Sequence, residues 1–102
     1  MAAYAAAKAG AAGLTRAIAR ETARHNITAN NIALGTMKTP VSAAMWENPD
    51  SPEAKAIMRP YLIRRPGEPD DVAGLALYLA STMSSWVTGQ TYPLNGGFSF
   101  AL

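Results

Sequence analysis

The chain has 102 residues, 49% hydrophobic and 16% charged, with a formal charge of +2, which suits one small globular domain and excludes a disordered or fibrous chain. The absence of cysteine and the single histidine, His25, exclude disulfides, thiol catalysis and any metal site needing cysteines or two histidines, so no metal is expected. No apolar run approaches the roughly 18 residues that span a bilayer and no signal-peptide pattern is visible, so a cytoplasmic protein with no membrane contact is expected.

Residues 2–25 lack proline and are dense in alanine, the best helix former, with Leu14 and Ile18 one turn apart. The pattern predicts a long helix, with Asn26 in the left-handed cap position. The first half of this helix carries mostly alanine and glycine. Such a surface lets another backbone come close, so the helix is expected to lie tightly against a sheet or another helix. Arg16, Arg20 and Arg24 share one face, and five of the first 46 residues are basic against a single acid, Glu21. The stripe reads as a solvated face, because a nucleic-acid interface would add interleaved aromatic residues or a motif. Neither is present, and no nucleic-acid partner is expected.

Residues 27–33 read as a short strand, although Asn30 and Asn31 belong to a type depleted in strands. A helix running into a short strand predicts α/β architecture with a parallel sheet. Residues 34–66 are punctuated by Gly35, Pro40, Pro49, Pro52, Pro60 and Pro66, with short helical pieces expected at 41–47 and 52–58. Met45, Trp46, Met58, Tyr61 and Leu62 look exposed there, and a connection this long is usually a lid or a binding loop. Residues 67–71 form a helix start, with Pro69 at a first-turn position and Asp70 and Asp71 complementing the helix dipole. Val72, Leu75, Ala76, Leu79 and Ala80 then recur at helical spacing and predict a helix over 69–81. Thr91–Leu94 reads as a last short strand, at a sheet edge because Pro93 cannot donate to a ladder. Gly96 and Gly97 end it in a turn, and no internal repeat is visible.

Tyr4 and Lys8 stand four apart at the start of the first helix, so their side chains meet on one face. A free phenol has a pKa of about 10 and is a poor proton donor or acceptor at neutral pH. A neighbouring ammonium and a helix N-terminus both stabilise the phenolate and make such a group useful toward a carbonyl or alcohol oxygen. Alone, a tyrosine and a lysine at this spacing are a common coincidence, and the pair also reads as an ordinary helix start with a solvated lysine.

The order of the remaining motifs adds to that pair. Tyr4-Ala-Ala-Ala-Lys8-Ala-Gly10 leads to Gly13-Leu-Thr-Arg16, then to Ile27-Thr-Ala-Asn30-Asn-Ile-Ala-Leu-Gly35 and Thr39-Pro40. Arg65-Pro-Gly67-Glu-Pro69-Asp-Asp-Val-Ala73, Val87-Thr-Gly-Gln90 and Asn95-Gly-Gly97 follow. In this order and spacing the chain resembles the C-terminal half of a classical short-chain dehydrogenase/reductase, of the kind that reduces 3-oxoacyl carrier proteins. The resemblance runs over nearly the whole chain. It implies an α/β fold, the C-terminal part of a Rossmann-like doubly wound parallel sheet without the N-terminal cofactor-binding half. It also implies one partial domain, with residues 1–26 as the active-site helix and 27–40 as strand and nicotinamide-side loop. Residues 41–66 would be the substrate loop, and 67–102 the closing helix and strand.

By the same resemblance, Tyr4 exchanges a proton with the substrate oxygen during hydride transfer. Lys8 assists it and holds the nicotinamide ribose. Leu34, Gly35, Met37 and Thr39 match the stretch that holds the nicotinamide of NAD or NADP. Met45, Trp46, Met58 and Tyr61 would face a small carbonyl or alcohol substrate. Helix 2–25 would pair with a second subunit, and the reading from a different class is a non-catalytic module that pairs with a related chain through that helix. Leu34 stands where the family usually has proline, and Asn95 where an aspartate is common. The family's glycine-rich phosphate turn, its cofactor-selecting residue and its catalytic serine have no counterpart in these 102 residues.

Overall fold

Helix α1 spans Ala2–Thr22 and tightens into a 3₁₀ turn over Ala23–His25 in the computed structural model, which describes residues 1–100. Asn26 ends it in the left-handed conformation, at φ 57°. The alanine-rich first half is exposed, and an added Cβ at Gly10 or Gly13 would meet no atom within 4 Å. The close approach expected of this face is therefore not made by the described residues of this chain. Leu14, on the same helix, is 61% exposed, and only Ala19 is buried.

The chain divides into two units, one of residues Met1–Ile32 with Leu77–Tyr92 and one of Ala33–Ala76 with Pro93–Leu102. In the first, the Asn30 carboxamide donates to Val87 O at 3.0 Å and accepts from Gln90 N at 3.1 Å. Ala29 N donates to the Thr88 hydroxyl, and Gly89 N donates to Ala29 O. Gly89 makes that turn with a φ of 71°, and its site faces Ala19 of α1. Strand β1 accordingly covers Asn31–Leu34 and not the expected 27–33, because the polar groups of residues 29 and 30 are taken up by this side-chain clip before the ladder begins. Asn31 N donates to Gln90 O at 2.8 Å. The C-terminal part of the closing helix ends in a 3₁₀ turn over Thr82–Ser84, where buried Ser84 donates to Leu79 O.

In the second unit, the expected helix at 41–47 is only a 3₁₀ turn over Ala43–Trp46, and helix α2 covers Pro52–Met58. Ser51 caps α2 by accepting from Ala54 N at 3.2 Å, with Pro52 at the first position. Trp46, Ala54, Met58 and Tyr61 form the buried core of this unit, with Ile57 against it. Of the five side chains that look exposed in the sequence, Met45 and Leu62 are exposed, but Trp46, Met58 and Tyr61 are buried. Helix α3 runs over Pro69–Ala80. Strand β2, Thr91–Leu94, pairs with β1 in a two-stranded sheet, and the bonds from Asn31 N to Gln90 O and from Gly35 N to Leu94 O keep the same offset, as parallel strands do. Gly96 and Gly97 follow at positive φ, and Gly96 O accepts from Leu62 N and Ile63 N.

Candidate functional site

Tyr4 and Lys8 lie on the first turns of α1, where the i, i+4 geometry brings Lys8 Nζ to 5.5 Å from the centroid of the Tyr4 ring. Tyr4 is 61% exposed, and its hydroxyl has no hydrogen-bond partner among the described residues. A phenol beside an ammonium, exposed to an incoming oxygen, can hand it a proton.

Leu34, Gly35, Met37 and Thr39 belong to the second unit, in the loop that leaves β1. Met37 makes a parallel bridge with Gly67: Gly67 N donates to Thr36 O at 2.9 Å, and Lys38 N donates to Gly67 O at 2.8 Å. In a parallel bridge the flanking residues make the bonds, so the N–H of Met37 is turned the other way. It has no partner among the described residues and is a free donor of the kind that can receive a carboxamide oxygen. An added Cβ at Gly67 would lie 2.6 Å from Met37 Sδ and would push that side chain aside. Thr39 closes a small turn in which its own N–H donates to the Ser42 hydroxyl and Ser42 N donates to Thr39 O. Gly35 sits where a Cβ would come 2.9 Å from Asn95 Cα and 3.1 Å from Tyr61 Cε1.

A cleft of about 200 Å³ borders this loop, lined by Gly35, Thr36, Met37, Tyr61, Arg65 and Asp71 among others. Arg65 and Asp71 make a two-pronged ion pair at 2.7 and 2.8 Å, and Asp71 also accepts from Glu68 N at 2.8 Å. The guanidinium, and after it the Glu68 amide, hold the Asp71 carboxyl well below the usual carboxylate range. This fork joins the segment that ends at Pro66 to the first turn of α3 and so supports the Gly67 bridge. The sequence showed Asp71 only as a helix-start acid; its partner six residues upstream is the signal that could have found the pair. Trp46 and Met58, expected to face a substrate, are buried in the core cluster, and Met45 is exposed. Tyr61 is buried, with its hydroxyl on Thr36.

No group of three or more metal-ligating side chains occurs among the described residues, and no helix of the described residues is long and apolar enough to cross a membrane. Residues 1–99 match a family model described as enoyl-(acyl carrier protein) reductase. Over 97 residues the chain is 39% identical to the 3-oxoacyl-(acyl-carrier-protein) reductase FabG of Chlamydia pneumoniae, covering 95% of this chain and 38% of that protein. Over 96 residues it is 41% identical to 3beta-hydroxysteroid dehydrogenase 1 of Eggerthella lenta, covering 94% and 36%. A structure from Agrobacterium tumefaciens, named as a 2-deoxy-D-gluconate 3-dehydrogenase with bound NADP, superposes with a TM-score of 0.83 at 37% identity, covering 93% of this chain and 38% of that one. The chain thus spans well under half the length of the curated relatives it matches. The described residues form a portion of a Rossmann-type α/β dehydrogenase fold.

Proposed function

Because the chain belongs to the short-chain dehydrogenase/reductase family, we propose that it is the C-terminal part of an NAD(P)-dependent oxidoreductase acting on a small carbonyl or alcohol substrate. The observation that carries the reading is the Tyr4–Lys8 pair on one face at the start of α1. Tyr4 gives its hydroxyl proton to the substrate oxygen in the reducing direction and takes one back in the oxidising direction. The Lys8 ammonium stabilises the phenolate left behind and binds the cofactor ribose. The free N–H of Met37 suits the nicotinamide carboxamide, with Leu34 and Gly35 shaping the approach and the Thr39 hydroxyl serving a nearby phosphate. When bound, the nicotinamide supplies or accepts the hydride at the substrate carbon. Residues 41–62 form the substrate side, with Met45 foremost because it is exposed and with Trp46 and Met58 buried beneath the loop, while Tyr61 is turned to Thr36.

The 102-residue chain by itself turns over nothing, since most cofactor contacts of such enzymes come from a segment this sequence does not contain. Joined to the N-terminal part of the NADP-bound Agrobacterium tumefaciens relative, it gives NAD(P)H-dependent reduction of a carbonyl panel. Tyr4→Phe in that fusion lowers kcat by about 10²–10⁴. Full activity in the Tyr4→Phe fusion, or saturable micromolar binding of cofactor by the 102-residue chain, overturns the reading.

A further inference from the structure

Tyr61 lies in the middle of the segment read as the substrate loop, yet its hydroxyl is committed elsewhere. The Thr36 amide donates to Tyr61 Oη at 2.9 Å, and Tyr61 Oη donates to Thr36 Oγ1, also at 2.9 Å. One phenol thereby uses its single donor and an acceptor site on the same residue. The ring is held as firmly as the hydroxyl. It stacks at a tilt on Phe98, 5.1 Å between centroids, and lies against the sites where Gly35 and Gly96 have no side chain. The carbonyl of Thr36 is taken by Gly67 N. The N–H, the carbonyl and the hydroxyl of Thr36 are thus all engaged, one residue before the unpartnered N–H of Met37.

We infer that Tyr61 is a positioning residue for the nicotinamide-side loop: through its two hydrogen bonds to Thr36 it aims the backbone of Met37, and it does not contact substrate. This rests on the reading of Met37 as a cofactor contact. A purely packing role would ask only for the ring, and the hydroxyl separates the two.

The test is amide hydrogen exchange followed by NMR on the 102-residue chain, without cofactor. Tyr61→Phe keeps the ring against Phe98 and removes both bonds. Exchange at Thr36 is expected to rise about tenfold in this variant, with smaller rises at Met37 and Lys38 and none at Asn31. Thr36→Val, which removes only the hydroxyl acceptor, gives a smaller rise at the same amides, and Thr36→Ser restores the wild-type rate. Unchanged exchange at Thr36 in Tyr61→Phe overturns the inference, as does a Thr36 amide already unprotected in the wild type. Loss of the nicotinamide reading shows separately, as an unsubstituted fusion that folds but does not turn over with NAD(P)H, because the exchange experiment contains no cofactor.

Discussion

A single missing atom decides a place in the second unit where the neighbours cannot give way. A Cβ at Gly35 would press on the backbone of Asn95 and on the Tyr61 ring, neither of which can turn aside. Gly35→Ala should therefore destabilise the protein by about 1–3 kcal/mol, read as a lower urea midpoint with an unchanged slope. Asp71 makes a prediction in pH. Its carboxyl is held below the ordinary value in the folded protein, first by the Arg65 fork and then by the Glu68 amide. Its contribution is therefore complete above the unfolded value of about 4 and is lost as the pH falls below it. Urea midpoints measured at pH 6 and pH 3 should drop more in the wild type than in Asp71→Asn. Added salt should narrow that difference, because both partners are solvent-exposed. That the Tyr4 and Lys8 side chains meet on one helix face was legible from their spacing. Tyr61 was not, because nothing in its local sequence says that a phenol 25 residues from Thr36 bonds to it.

Local sequence wrote most of the elements. The alanine run and Asn26 yield α1 and its left-handed end, Ser51-Pro52 yields the capped start of α2, and Pro69 with its acids yields α3. Thr91–Leu94 is the strand expected, because its β-branched and aromatic residues are bounded by a turn. The other strand begins late because Asn30 gives its carboxamide to the 87–90 turn, a contact 57 to 60 residues away in sequence. The helix interior offers an element-scale test. Gly10 faces open space, so Gly10→Ala should raise stability by about 0.5–1 kcal/mol through lower backbone entropy in the unfolded chain, measured by thermal or urea denaturation.

For the whole molecule, the first half of α1 is left uncovered by the described residues. Its alanine- and glycine-rich half and Leu14 stand exposed, which fits the proposed pairing with a second subunit through helix 2–25. Light scattering should find the chain self-associated at micromolar concentration, and Leu14→Arg should shift it toward monomer. A monomer at every concentration would remove the pairing. The chain's own residues determined that it is α/β, where its helices start and stop, and that Tyr4 and Lys8 share a face, because propensity, capping and helical spacing act over a few positions. Burial of Trp46, Met58 and Tyr61, the Arg65–Asp71 fork and the bracing of Thr36 were decided only in three dimensions. Each joins groups brought near by the fold, and the same apolar residues serve equally well in a lid or in a core until the fold selects which surface they cover.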